Sequence, residues 1–257
     1  MEKHNINLNV EIDVNDLIGE PIRAISKTVA SCWDIVFGGI EIYSEKKRIE
    51  RQRNLELYKR DFYSQLEDIP EEKLQEPSVA IIGPALKASE FFFEEAHYRK
   101  MFSRIIAGAC NSDYNGIMHP AYANIITELS KNDALTLRYL YSLRDNSKSL
   151  VARKLEVLNL RGIPKDSLYP NSIATRKAFS HLSPLGISLS LSNLQRLNLI
   201  TITDSVYGVY ETMNNDQFQN VPLVQEFRNK YPNNKFKLLP MQINLTTLGK
   251  SFSRICL

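Results

Sequence analysis

Apolar residues recur at helical spacing near the start of the chain and again through its middle. In the first stretch they are three or four positions apart: Ile18, Ile22, Ile25, Val29, Trp33, Val36 and Ile40. This spacing predicts an amphipathic helix with one apolar stripe. Charged residues interrupt the stretch well short of the ~20 apolar residues that span a bilayer. We expect the stripe to pack against the rest of the protein, with a membrane surface or a partner helix as the alternatives.

A strongly basic segment over residues 45–60 is predicted to continue that helix, which runs on to residue 66, because strong helix formers dominate these residues. It holds seven basic and three acidic side chains, a local charge of 7 − 3 = +4. The acidic residues lie three or four positions from basic ones, which favours a solvated face with weak ion pairs. A nucleic-acid or phospholipid patch is the alternative. The candidate interaction residues in this segment are Arg48, Arg51 and Arg53.

The middle of the chain predicts a linker followed by helices. Residues 67–77 are acidic and punctuated by proline, which predicts a linker between Pro70 and Pro77. Five apolar residues then follow at steps of seven, four, three and four, and predict one long buried helix: Phe91, Tyr98, Phe102, Ile105 and Ala109. Pro84 implies that this helix either begins there or is kinked. The polar residues 111–116 are predicted to end it.

A tight corner is predicted at Ser130. Residues 121–129 favour a short helix after His119 and Pro120. Ser130 and Asp133 have the spacing of a capping box, in which each residue satisfies the other's backbone N–H. A further helix over residues 131–143 is therefore expected to begin directly after the first.

The C-terminal third predicts a small mixed unit. Leu191, Leu194 and Leu197 indicate a helix that begins near Ser190, and residues 198–212 have the pattern of strand, turn and strand. A third strand over 237–245 and a helix over 246–255 are expected to follow. This order resembles a winged helix-turn-helix module, with residues 206–209 as the wing.

On a DNA-binding interpretation, Asn193, Gln195 and Arg196 would meet base edges or phosphates. The final 32 residues carry six basic groups against one acidic residue, a local charge of 6 − 1 = +5, and Lys250 is among the basic ones. Winged-helix modules also serve as protein interaction modules, so the fold analogy leaves both roles open.

Composition limits the class of protein but does not name a function. The 257 residues include 43% hydrophobic and 24% charged side chains with a net charge of +3, which is typical of a globular chain and predicts no global polyanion binding. Cys32, Cys110 and Cys256 are scattered and form no CxxC pair, which argues against a disulfide framework and a zinc site. Residues 1–16 lack the pattern of a secretory signal. We expect a cytoplasmic location, with membrane-peripheral attachment as the alternative.

No group of residues within one segment has the spacing of a catalytic site. Glu94 and Glu95 are adjacent, so on a helix they would point about 100° apart and could not form a carboxylate pair. The four histidines, His4, His97, His119 and His181, never fall four positions apart or beside a cysteine. The glycines lack the spacing of a phosphate loop or a dinucleotide fingerprint. We therefore expect no cofactor, no metal and no enzymatic activity, although a site assembled from distant segments stays open.

Four short motifs, in their order and spacing, resemble the Abi-alpha family of bacterial proteins. They are MFSRIIAGA at 101–109, His119-Pro120, ELSKNDA at 128–134 and LTTLGKSF at 245–252. The motif residues on which the resemblance depends most are His119, Pro120, Ser130, Asp133 and Gly249. The resemblance covers roughly residues 17–257 and is strongest between Pro77 and Leu140. It implies a role in abortive infection, a cell-sacrificing defence against bacteriophage, and it implies no catalytic residue.

The sequence thus predicts a mainly α protein with a small winged-helix-like α+β C-terminal unit. The expected segments are an amphipathic and basic helical region over 1–69, a helical core over 70–145 and the winged-helix-like unit over 146–257. We expect defence through interaction surfaces, with a protein partner or self-association. A DNA-binding regulator, marked by a basic stripe joining the 190–200 helix to the wing, is one alternative. A peripheral membrane effector, marked by an exposed N-terminal apolar stripe, is the other, and no small-molecule substrate is evident.

Overall fold

The structure is a computed structural model and describes residues 20–38, 45–143, 150–168, 184–204 and 222–257. As predicted, the fold is mainly α-helical, with a few antiparallel strands in the C-terminal part. Contacts divide the chain into two compact units, Met1–Thr127 and Glu128–Leu257. The sequence suggested divisions at 69/70 and 145/146 instead.

The first unit is built from helices. The α-helices are α1 (Glu20–Phe37), α2 (Glu45–Glu67), α3 (Val79–Ser89), α4 (Ala96–Ala109) and α5 (Ala121–Glu128), and short 3-10 helices cover Glu71–Lys73 and Ser112–Tyr114. Helix α4 packs against α2 and α3, and α3 packs against α1. The single helix expected across residues 18–66 is wrong, because α1 ends at Phe37 and a turn follows at Gly38.

The apolar stripe of α1 packs on the protein, as expected for the residues that the structure describes. Ile25, Val29 and Trp33 are buried, and so is Phe37 at the end of the helix. The Trp33 ring lies 4.8 Å from the Tyr58 ring and 4.9 Å from the Phe37 ring, measured between centroids. Ile18 and Ile40 lie outside the described residues. A membrane effector was expected to expose this apolar stripe, and the buried residues named here are therefore not what that function requires.

The long central helix is wrong as one element, because the chain turns between α3 and α4. Glu95, just before α4, has an extended backbone conformation. The seven-residue step from Phe91 to Tyr98 therefore does not run along one helix, and Phe91 is 83% exposed. The later positions Phe102, Ile105 and Ala109 are buried as predicted. Pro84 lies inside α3, and α4 ends at Ala109, before the polar turn, as expected.

The predicted linker is held against the end of α4. Leu74 forms an isolated antiparallel bridge with Asn111, and the Gln75 amide donates to the Cys110 carbonyl at 2.9 Å. The Lys73 ammonium lies 2.6 Å from an Asp113 carboxylate oxygen, which raises the pKa of Lys73. Residues 67–77 therefore belong to the first unit and do not separate two domains.

The corner at Ser130 is confirmed. Helix α5 ends at Glu128, and α6 (Lys131–Ser142) begins two residues after Leu129. The Asp133 amide donates to Ser130 Oγ at 3.2 Å, and the Ser130 amide donates to Asp133 Oδ2 at 2.8 Å. Both halves of the capping box are present, so these local bonds set the start of α6.

The second unit joins helices to a four-stranded antiparallel sheet. After α6 come β1 (Leu150–Leu158), β2 (Pro164–Leu168), α7 (Pro184–Arg196), β3 (Ile200–Asp204), α8 (Pro222–Lys230), β4 (Lys235–Leu245) and α9 (Thr247–Cys256). The strand order is β2-β1-β4-β3, with Leu150 opposite Ile243 and Ile200 opposite Leu245. Helix α6 packs against α7, α9 and β4.

The winged-helix expectation agrees with this unit only in part. Strands β3 and β4 and helix α9 are confirmed, but β1 and β2 were not predicted. The helix that holds Leu191, Leu194 and Leu197 was expected to begin near Ser190, whereas α7 begins at Pro184. Within the described residues β3 pairs with β4. The wing at 206–209 and the second hairpin strand lie outside the described residues.

Candidate interaction surfaces

A basic stripe follows the solvent side of α2. Lys46, Arg53 and Arg60 lie seven positions apart and are all exposed. Seven residues make almost two turns of helix, so the three side chains lie on nearly the same side. The opposite side holds the buried residues Tyr58, Phe62 and Leu66. We call Lys46, Arg53 and Arg60 the α2 basic stripe. The predicted surface residue Arg48 is also exposed, but it lies two positions after Lys46, about 200° round the helix, and is not part of the stripe.

Arg51 has a different environment from Arg48 and Arg53. Its guanidinium carbon lies 4.8 Å from the centre of the Phe93 ring, which is fully buried. Arg51 Nη1 lies 4.0 Å from Glu94 Oε1, and the Arg51 side chain is only 16% exposed. A cation over an aromatic face is attracted by the ring electrons. Arg51 therefore helps to close the core of the first unit and offers little charge to a partner.

Asn193 and Arg196 lie in a polar network at the C-terminal end of α7. Arg196 Nη2 is 2.6 Å from Glu128 Oε2. Asn193 Nδ2 donates to the Glu128 carbonyl and to Asp133 Oδ2, both at 2.9 Å. Arg196 Nε in turn donates to Asn193 Oδ1 at 3.0 Å. Two of the three residues expected to contact DNA are thus engaged with the Ser130 corner, while Gln195 is exposed.

Helix α9 carries one packing residue and one surface residue of the family-like motif. The Gly249 amide donates to Oγ1 of the N-cap residue Thr246 at 2.8 Å. A Cβ atom at Gly249 would lie 1.9 Å from the Leu199 carbonyl oxygen. Gly249 is therefore required for close packing, whereas Lys250 is exposed.

His119 forms the local hydrogen bond that its position before a proline suggested. Its Nδ1 accepts from the Ala121 amide at 3.1 Å, and both His119 and Pro120 are exposed. Glu94 and Glu95 are also exposed, with Glu94 Oε1 4.0 Å from Arg51 Nη1 and Glu95 Oε2 3.7 Å from His97 Nδ1. Within the described ranges no group of three or more His, Cys, Asp or Glu side chains could hold a metal ion.

Burial makes the Cys110 thiol unreactive. Cys110 and Cys256 are buried, and Cys32 is half-buried. Burial raises the pKa of Cys110 to about 12, because a thiolate would lose its hydration inside the protein. The Cys110 thiol therefore stays protonated near neutral pH and is a poor nucleophile.

A cleft between α2 and α4 was not predicted. It has a volume of about 260 Å³. Its polar lining consists of Asp61, Ser64, Gln65, Lys100, Ser103 and Arg104. Each helix contributes three of these residues, and the second and third lie three and four positions after the first. This spacing places them on one face of the helix. The sequence holds this repeated spacing, but only the packing of α4 on α2 makes the two faces meet.

Among the described helices, none combines the length and the apolar character needed to cross a membrane.

Comparison with known protein families identifies a family for this chain. The family model described as abortive infection alpha matches residues 50–256, a stretch that runs from within α2 to the end of α9. Curated proteins and solved structures give no match. The family resemblance seen in the four sequence motifs is therefore confirmed.

Proposed function

Because the chain belongs to the Abi-alpha family, we propose that it takes part in abortive infection, in which an infected bacterial cell is sacrificed to stop bacteriophage. The protein acts by binding an acidic surface of a partner protein through the α2 basic stripe. No titratable active-site residue takes part in this action. The observation that carries the choice of surface is the alignment of three exposed cations opposite the buried face of α2.

The stripe has the charge and reach of a docking surface. Lys46 and Arg60 are 14 positions apart, which corresponds to about 21 Å of helix. Cations arranged along such a length attract a complementary acidic surface and orient it during encounter. Ile49 lies beside the stripe and is 61% exposed. It provides an apolar contact of the kind that protein interfaces bury at their centre.

The two alternative functions receive less support from the described residues. A DNA-binding regulator would use Asn193 and Arg196, but both already bind within the α7 network. A membrane effector would use the α1 stripe, but Ile25, Val29 and Trp33 are buried. The α2 basic stripe is not engaged in the core, so it is the better candidate.

A plaque assay with matched charge reversals tests this proposal. We expect Lys46→Glu, Arg53→Glu and Arg60→Glu together to reduce protection at least about tenfold, because the surface loses attraction and gains repulsion. The control combines Lys131→Glu, Arg138→Glu and Arg161→Glu, three exposed cations elsewhere with the same total charge change. This control should protect like the wild type at matched expression.

Two results would contradict the proposal. If the wild-type gene gives no protection against a broad panel of bacteriophages, the defence function is wrong. If both triple variants protect equally and circular dichroism shows that both fold, the α2 basic stripe is not the docking surface. In that case the exposed residues Gln195 and Lys250 become the next surface to test.

A further inference from the structure

The turn between β1 and β2 exposes two apolar side chains beside a group of cations. We propose that this end of the second unit docks on the surface of an anionic lipid bilayer, with the Leu160 and Ile163 side chains inserted among the lipids. We call these two residues the hairpin tip. The inference goes beyond the proposed function, because the hairpin tip belongs neither to the α2 basic stripe nor to the apolar stripe of α1. It does not depend on the defence role and is measured by lipid binding alone.

The hairpin tip is exposed although hydrogen bonds fix the backbone of its turn. Leu160 is fully exposed, and Ile163 is 55% exposed. Asn159 Oδ1 accepts from the Arg161 and Ile163 amides, both at 2.9 Å. The Asn159 amide donates to the Ile163 carbonyl, and the Gly162 amide donates to the Asn159 carbonyl, again at 2.9 Å. The turn therefore holds both apolar side chains in the solvent.

The turn itself does not require a leucine at position 160. Asn159 supplies the side-chain acceptor, and Gly162 supplies the positive φ of 75° that favours glycine. Turns usually carry polar residues at their exposed positions. A fully exposed leucine buries no apolar surface among the described residues and so adds nothing to the core. An apolar side chain at this position therefore suits a surface outside the chain.

Cations surround the hairpin tip. Residues 159–165 and 227–235 hold no acidic residue and five basic ones: Arg161, Lys165, Arg228, Lys230 and Lys235. When the adjoining residues Asp166 and Glu226 are counted, the net charge is still 5 − 2 = +3. The two segments meet at one end of the sheet, because Lys235 lies opposite Leu158 and Asn234 Nδ2 donates to the Leu158 carbonyl at 2.9 Å.

Tyr231 lies between cations from two elements. Lys165 Nζ from β2 and Lys230 Nζ from α8 are 5.3 Å and 5.0 Å from the centre of the Tyr231 ring. Lys165 and Lys235 are exposed, and Tyr231 is half-buried. Lysine can extend its ammonium along a surface, and tyrosine is enriched where a membrane meets water. We call Lys165, Lys230 and Lys235 the basic rim.

The order of apolar and charged groups favours a bilayer over a nucleic acid. In an anionic bilayer the phosphates lie outside and the hydrocarbon lies beneath them. Leu160 is at the turn, whereas Lys165 and Lys235 lie in the strands behind it. A nucleic-acid backbone would attract the basic rim but has no apolar layer to receive the hairpin tip. A bilayer rewards both features, through apolar burial and through attraction to its surface charge.

Co-sedimentation of the full chain with vesicles tests the inference. One set of vesicles contains equal parts of phosphatidylglycerol and phosphatidylcholine, and the reference set contains phosphatidylcholine alone. We expect at least about tenfold tighter binding to the anionic vesicles, because each cation near such a surface contributes a factor of about five in affinity. Added salt should weaken this binding, since it screens the attraction.

A matched pair of leucine variants tests the hairpin tip. Leu160→Ser should weaken binding to the anionic vesicles about tenfold, because the contact loses apolar burial. Leu189→Ser is the control, since Leu189 is 62% exposed on α7 of the same unit. This control should bind like the wild type. Circular dichroism and thermal unfolding confirm that both variants fold.

A matched pair of double variants tests the basic rim. Lys165→Gln combined with Lys235→Gln should weaken binding about twentyfold, a factor of about five for each charge. Lys131→Gln combined with Arg138→Gln removes two exposed charges from α6 and should change binding by less than about twofold.

A fluorescent variant reports insertion directly. Trp33 is the only tryptophan of the chain, and it is buried. The emission of Leu160→Trp should move to shorter wavelength when anionic vesicles are added, because the indole leaves water. The emission of the wild type should stay unchanged.

Four results would overturn the inference. The first is failure of the full chain to sediment with the anionic vesicles. The second is binding that Leu160→Ser leaves intact, which would reduce the contact to charge alone. The third is an equal loss with Leu160→Ser and Leu189→Ser. The fourth is lysine-dependent binding of a short single-stranded oligonucleotide without vesicle binding, which would assign this surface to nucleic acid. None of these results decides the plaque assay of the α2 basic stripe.

Discussion

At the residue scale, burial separates two phenylalanines that the hydrophobic pattern placed on the same helix face. Phe102 is fully buried in α4, whereas Phe91 lies in the turn between α3 and α4 and is 83% exposed. Both are the same residue type at spacings that suit one helix. Their different environments make them a matched pair for testing the core of the first unit.

We expect Phe102→Ala to lower the free energy of unfolding by about 3 to 5 kcal/mol, because it removes a buried ring and leaves a cavity. The control Phe91→Ala should change it by less than about 0.5 kcal/mol, since the ring already contacts solvent. Urea denaturation followed by circular dichroism measures both. Equal effects of the two substitutions would show that the turn at 90–95 is misplaced.

Ser130 acts through local hydrogen bonds. We expect Ser130→Ala to destabilise the protein by about 1 kcal/mol, because the Asp133 amide loses its acceptor. Ser142→Ala, at the exposed end of α6, is the control and should change stability by less than about 0.5 kcal/mol. Thermal unfolding of the two variants measures the difference. A Ser130→Ala protein as stable as the wild type would show that the cap is dispensable.

At the element scale, the position of α9 depends on a backbone contact with the start of β3. The Thr246 amide donates to the Leu199 carbonyl at 3.1 Å, and Gly249 lies against the same carbonyl. The helix and the strand approach too closely for a side chain at Gly249. This contact explains why the terminal LTTLG motif carries glycine at this position.

We expect Gly249→Ala to destabilise the second unit by about 1 to 3 kcal/mol, because the added Cβ must displace the Leu199 backbone. Gly83→Ala is the matched control, since a Cβ there would meet nothing within 4 Å. That substitution should stabilise the protein by about 0.4 to 1 kcal/mol, because alanine loses less conformational freedom on folding. Opposite signs in urea denaturation support the contact, and equal signs contradict it.

At the scale of the whole molecule, two exposed carboxylates and one exposed histidine of the first unit are the residues with which an enzymatic role can be tested. Glu94, Glu95 and His119 are exposed, and His119 is engaged with the Ala121 amide. We expect Glu94→Gln, Glu95→Gln and His119→Ala each to keep protection against phage within about threefold of wild type, below the tenfold loss that 1.4 kcal/mol of lost binding gives.

Plaque counts at matched expression test this expectation, with the α2 stripe variant as the sensitive comparison. Complete loss of protection in one of the three single variants, with an unchanged circular dichroism spectrum, would favour an enzyme. The charge reversals and the neutral substitutions can be compared in one experiment. That experiment distinguishes action through a binding surface from action as an enzyme.

The sequence alone predicted the features that depend on residues close together in the chain. The capping box joins Ser130 and Asp133 across three positions, so its geometry follows from the residues between them. The helix over 121–128, the end of α4 and the last strand and helix likewise depend on short-range spacing. The four motifs sufficed for the family because their order is a property of the chain itself.

The features that the sequence did not predict depend on packing between segments that lie far apart in the chain. Arg51 and Arg53 are alike in sequence, yet only Arg51 meets the buried Phe93 ring, which lies 42 positions away. Arg196 is neutralised by Glu128, and the α2–α4 cleft forms only where two helices meet. Strands β1 and β2 also depend on pairing with partners far along the chain or across a turn. Helical periodicity shows which side of a helix is apolar, but the charge that a surface offers depends on the residues that fold against it.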